Sequence, residues 1–147
     1  MKLEDQVCSL ELAKRLKELG VKQESAFCWA HPWEPYTYTE DKSRYILTEP
    51  RKLNIREGIV AFTAAELGEM LPGHIGMNWF LQFWKSDFSG PASFSINYKD
   101  PKTEGNPETG WMRETIIEKT EANARARMLI HLLENKIITP EAVNKGE

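Results

Sequence analysis

Apolar side chains along residues 120–135 (TEANARARMLIHLLEN) fall at Ala122, Ala126, Leu129, Ile130 and Leu133. That spacing sets one stripe on one face of a helix. Thr120 is a natural N-cap, because its hydroxyl can accept from an orphan backbone N–H of the first turn. Glu121 sits at the positive end of the helix dipole and four residues before Arg125, the favourable order for an ion pair. Residues 9–19 (SLELAKRLKEL) repeat the design: Ser9 caps, Leu12, Ala13, Leu16 and Leu19 face inward, and Gly20 stops the helix. A third, shorter helix starts at Thr63-Ala-Ala-Glu66, a capping box with Phe62 and Leu67 placed as a hydrophobic staple, and ends before Pro72-Gly73.

Period-two patterning predicts the strands. Residues 77–85 (MNWFLQFWK) put Trp79, Leu81 and Phe83 on one face and Phe80, Gln82 and Trp84 on the other. Two apolar faces predict a central strand covered on both sides. Residues 92–98 alternate, with Phe94, Ile96 and Tyr98 inward, and 111–117 complete a meander over 77–117. Residues 25–30 and 45–48 predict a second hairpin, joined by a loop over 31–44 in which Pro32 and Pro35 exclude a central strand or a helix interior. Residues 49–58 read as irregular. Strands without alternating crossover helices predict an α+β fold with an antiparallel sheet, on which helices 120–135 and 9–19 pack.

The chain has 147 residues, enough for one domain over 1–147 with its own core. A net charge of −3 gives no whole-molecule field for nucleic acid. Cys8 and Cys28 lie 20 apart without a CxxC pattern and read as reduced thiols. The N-terminal stretch MKLEDQVCSLELAKR carries acids where a signal peptide needs an apolar region, and no run approaches the ~20 apolar residues of a membrane span. These features predict a cytoplasmic protein.

Candidate chemistry is sparse. His31, His74 and His131 lack metal-like spacing, and His131 lies beside the apolar stripe of its helix. Asp87 and Asp100 flank one hairpin at opposite strand ends, which keeps them apart. Gly68, Gly73 and Gly76 form no phosphate-binding loop. No cofactor, metal ligand or catalytic residue is predicted. Trp29, Trp33, Tyr36 and Tyr38 cluster within ten residues, and aromatics of that kind either cap a sheet or anchor a partner. Lys14, Arg15 and Lys17 on one helix and Arg125 and Arg127 on another could contact phosphates if their faces adjoin.

Three stretches, CSLELAKRLKELGVKQES (8–25), AFTAAELGEMLPG (61–73) and KTEANARARMLIHLLENKII (119–138), together resemble a family of small uncharacterised proteins encoded by bacteriophages, prophages and bacterial genomes. The resemblance implies a phage-related origin and residence in the bacterial cytoplasm. It carries over no activity, cofactor or catalytic residue. The first expectation is therefore an accessory protein that binds another protein, or itself, through Trp29, Trp33, Tyr36 and Tyr38. A nucleic-acid-binding regulator using the five basic residues is the second, disfavoured by the acidic balance. An enzyme with a site assembled around His74 or His31 is the third.

Overall fold

The computed structural model describes residues 2–32, 45–49, 55–77, 79–87, 90–99 and 115–145, with 31, 32 and 55–57 described by their backbone. In chain order the elements are α1 (Leu3–Gln6), α2 (Leu10–Glu18), β1 (Cys28–Pro32), β2 (Ile46–Thr48), β3 (Ile55–Val60), α3 (Ala64–Met70), β4 (His74–Ile75), β5 (Trp79–Ser86), β6 (Ser93–Lys99), β7 (Ile116–Glu118), α4 (Glu121–Glu134) and α5 (Pro140–Asn144). The fold is α+β, with two antiparallel sheets ordered β2-β1-β3 and β4-β5-β6-β7.

Local chemistry sets the helix ends. Ser9 Oγ accepts from Leu12 N–H at 3.5 Å, and Thr120 Oγ1 from Asn123 N–H at 3.2 Å. At α3 the reciprocal box forms: Thr63 Oγ1 accepts from Glu66 N–H at 3.2 Å, while Glu66 Oε2 accepts from Thr63 N–H at 2.8 Å. Gly20 closes α2 at φ +88, with Val21 N–H donating to Leu16 C=O and Gly20 N–H to Lys17 C=O. That is a Schellman end, in which a left-handed residue turns two orphan carbonyls onto two following amides. Lys136, at φ 55, closes α4 the same way.

Five expectations change. β1 runs on through His31 and Pro32, where the sequence predicts a loop, and Pro32 pairs with Ile55 beyond a register shift at the end of this middle strand, the kind of irregular position that tolerates proline. Residues 49–58 are not irregular throughout: Ile55–Val60 is a strand on the far side of β1, opposite β2. Its Arg-Glu-Gly centre hid it, and pairing with β1 together with burial of Ile59 and Val60 overrides that weak propensity. The expected single sheet is two sheets. The strand expected over 111–117 is observed as Ile116–Glu118, and 111–114 lie outside the described residues. β5 is central in its sheet, yet among the described residues only its inner face is packed against the core. Trp79, Leu81 and Phe83 pack against the core, whereas Phe80 and Trp84 on the outer face are 48% and 39% exposed. On that outer face Asn97 is fully buried, its Nδ2 donating to Thr115 Oγ1 at 3.2 Å, and its Oδ1 has no partner among the described residues.

The core is built around α4. It touches α1, α2, α3, β6 and β7, so it is far from a one-faced surface helix. Ala124, Met128 and Leu132 are as completely buried as Ala122, Ala126 and Leu129. The three alanines let neighbouring elements approach closely. Asn123 ties α4 to α2 directly, its Oδ1 accepting from Ser9 N–H at 2.8 Å.

Candidate functional site

Because α4 is packed on nearly every side, its uncovered part stands out. Arg127 and Glu134 are its exposed residues, and with Ile130 and half-buried His131 they form an i, i+3, i+4, i+7 stripe. That stripe is one wall of a groove of about 640 Å³. Leu12 and Arg15 of α2 form a second wall, and Thr115, Ile116 and Ile117 on and before β7 a third. The volume lies within the range of about 300–1,000 Å³ usual for ligand sites.

The groove combines an aliphatic lining (Leu12, Ile116, Ile117, Ile130) with an ion-paired rim. Arg15 Nε donates to Glu134 Oε1 at 2.8 Å and its Nη1 to Glu18 Oε2 at 3.1 Å. Hydrogen bonding to Glu134, then to Glu18, raises the Arg15 guanidinium further above its ordinary pKa, so its charge is permanent. Arg127 Nη1 donates to Glu118 Oε1. These pairs are largely solvent-exposed and contribute little stability, but they hold two guanidinium groups at the groove mouth. His131 Nδ1 lies 3.3 Å from Asn135 Nδ2. The hydroxyl in the lining, Thr115 Oγ1, accepts from Asn97.

The β7 side of the groove is a strand edge whose polarity follows from the register. Leu81 N–H donates to Gly73 C=O at 3.0 Å, away from β6. Successive residues of an antiparallel strand alternate direction. The β5–β6 ladder bonds therefore run through Phe80–Lys99, Gln82–Asn97 and Trp84–Ser95, and Phe94 and Ile96 turn toward β7. Those two face Glu118 and Ile116. Ile117, opposite Ser95, thus points its N–H and C=O away from β6, to the side of β7 that pairs with no strand among the described residues, beside the groove. Its side chain is 60% exposed.

The residues singled out from the sequence are dispersed. Trp29 lies half-buried on β1, packed against the core, with its indole N–H donating to Cys8 C=O at 3.0 Å. Trp33, Tyr36 and Tyr38 lie outside the described residues. Of the five basic residues, Arg15 and Arg127 meet at the groove. Arg125 is on another face of α4, 4.8 Å from the Phe83 ring centroid and paired with Glu121. Lys14 lies 5.0 Å from the Tyr45 ring, and Lys17 is exposed on α2. His74 is exposed on β4, 6.5 Å from the Phe80 ring, and the His31 side chain is outside the described residues. Sequence reasoning missed Leu12, Ile117, Ile130 and Glu134 as site residues. For Ile130 and Glu134 the signal was the mixed stripe 127/130/131/134, which is legible only once the other faces of α4 are known to be covered; Leu12 and Ile117 join it only through the packing of α2 and β7.

Cys8 and Cys28 are free and buried, and burial pushes the Cys8 thiol from 9.0 up to about 12. Neither is a reactive thiol at neutral pH. Among the described residues, no group of three His, Cys, Asp or Glu side chains could hold a metal ion, and no helix is long and apolar enough to cross a membrane. Comparison with protein-family models, curated proteins and solved structures gave no match.

Proposed function

We propose that this protein is a non-catalytic, phage-associated accessory protein of the bacterial cytoplasm that works by binding another protein, and that the groove between α2, α4 and β7 is where the partner docks. The observation that carries this reading is the groove along the partly exposed 127/130/131/134 stripe of α4, beside a β7 edge that pairs with no strand among the described residues. Apolar side chains in a concave site with a charged rim suit a protein surface. A phosphate backbone needs several unpaired cations along one track. Here both groove arginines already hold carboxylates, and Arg125 faces elsewhere.

A photo-crosslinking amino acid placed at Leu12 or Ile117, and separately at Lys17 on the outer side of α2, tests this in a bacterial host. The expected result is a protein adduct from the groove positions that survives nuclease and is missing from the Lys17 variant. Equal labelling from both sides, or none from the groove, would remove the groove from the reading.

A further inference from the structure

We infer that the groove takes an extended, acidic-and-aliphatic segment of another protein, which adds as a further strand to the open edge of β7 and pairs its main chain with Ile117. This rests on the protein-binding reading above and specifies the partner's chemistry.

Three observations converge. First, Ile117 presents an N–H and a C=O outward with no backbone partner among the described residues. An exposed pair of that kind is a template for one residue of an added strand, which would bond to both groups at once. Ile116 and Glu118 spend their own groups on β6, so the added strand takes nothing from the existing ladder.

Second, Leu12, Arg15 and Ile130 line the groove beyond that edge, so α2 and α4 occupy the layer beneath any strand laid against β7. A second copy of this chain would bring its own α4 beneath its own β7, into the place α2 already fills. A bare segment brings no such layer. Its alternate side chains would point down onto Leu12 and Ile130 and up beside Ile117.

Third, the two groove arginines already pair with Glu134, Glu18 and Glu118, yet one of them keeps part of its guanidinium uncommitted. Arg127 spends Nη1 on Glu118, which leaves Nε and Nη2 as donors among the described contacts. A carboxylate on the segment matches that free side of the guanidinium, in the paired geometry arginine favours.

The test uses the intact chain and a random dodecapeptide display library. The enriched peptides are then made synthetically, and their affinities are measured for the wild type and for Ile117→Val, Ile117→Pro, Arg127→Gln and Leu12→Glu. Proline is tolerated where a strand N–H faces outward, so Ile117→Pro removes the donor and leaves the β6 pairing intact. The expected peptides alternate aliphatic residues with at least one Asp or Glu. Ile117→Pro should weaken them about tenfold or more, Ile117→Val about threefold at most, and Arg127→Gln about fivefold. Binding should also slow exchange of the Ile117 amide in the wild type, a readout that holds even if the proline variant unfolds. Peptides lost with Leu12→Glu but indifferent to Ile117→Pro, with Ile117 exchange unchanged, would overturn strand addition and keep the groove. Basic or helical winners would overturn the stated partner chemistry. No enrichment over the Leu12→Glu variant would overturn both this inference and the groove reading.

Discussion

Arg125 and Arg127 stand two residues apart on one helix, and each donates to a glutamate. They have opposite surroundings. Arg125 is 22% exposed, its guanidinium lying over Phe83 and against α3, where a side chain at Gly68 would collide with it. It reaches Glu121 through both Nε and Nη2, at 2.9 and 2.7 Å. Arg127 is 55% exposed at the mouth of the groove. Helical geometry turns the second arginine about 200° from the first. One guanidinium therefore serves as packing material, by its flat faces and long stem, while the other keeps unspent donors toward solvent. Residue type and charge are identical, and only the presence of a neighbouring element separates a structural residue from a candidate binding one.

The sharpest break between the two sides is expected in stability. Met128→Ala, on the enclosed side, should cost about 2–5 kcal/mol in urea unfolding, whereas His131→Ala on the groove stripe should cost less than about 1 kcal/mol. Equal costs would mean that the groove side is packed as firmly as the rest. Next in size is a pH effect confined to the enclosed core, to which Cys8 belongs. Its thiol is held protonated up to about 12 in the fold against 9.0 ordinarily. The unfolded chain therefore releases that proton first, and stability is full below pH 9 and falls as pH rises from there toward 12. The loss should reach about 2 kcal/mol at pH 10.5. Comparing urea midpoints at pH 8.5 and 10.5 for wild type and Cys8→Ala isolates it, since the variant should show the shallower decline. Smallest is the comparison of the arginines themselves. Arg125→Ala should cost about 1–2 kcal/mol through lost ring stacking and packing, and Arg127→Ala less than about 0.5 kcal/mol. A double-mutant cycle with Phe83 should show coupling for Arg125 and none for Arg127.

Much of the frame was legible in the sequence because it is written in local chemistry. Ser9, Thr63-Glu66, Thr120 and Gly20 act where the chain predicts, since a cap needs only residues within one turn of itself. The β5–β6 hairpin followed from alternation alone. What escaped depends on distant neighbours. β3 exists because β1 pairs with it, and residues 55–60 carry no strong pattern of their own. The stripe on α4 read as its one buried face, because Ala124, Met128 and Leu132 fall outside an amphipathic template and small or flexible side chains do not announce burial. For the same reason the groove was invisible: a mixed stripe of Arg, Ile, His and Glu looks like any solvated helix flank until its surroundings are known. Trp29, conversely, looked like an anchor for a partner, and the Cys8 carbonyl that takes its indole N–H lies 21 residues earlier.

The central position of α4 also bears on how the chain comes off the ribosome. Every described strand precedes α4 in the sequence, so during vectorial synthesis both sheets emerge before the helix that packs on β6 and β7 and shares a core with Ile96 and Tyr98. Until residues 121–134 are out, the shared core lacks its largest contributor, and incompletely covered apolar surface of that kind is what chaperones and proteases engage. Completion of the helix is thus the event that lets the core close. A chain ended between β7 and α4 would lack the one element that α1, α2, α3, β6 and β7 all touch, and is expected not to fold cooperatively, however much sheet is already made.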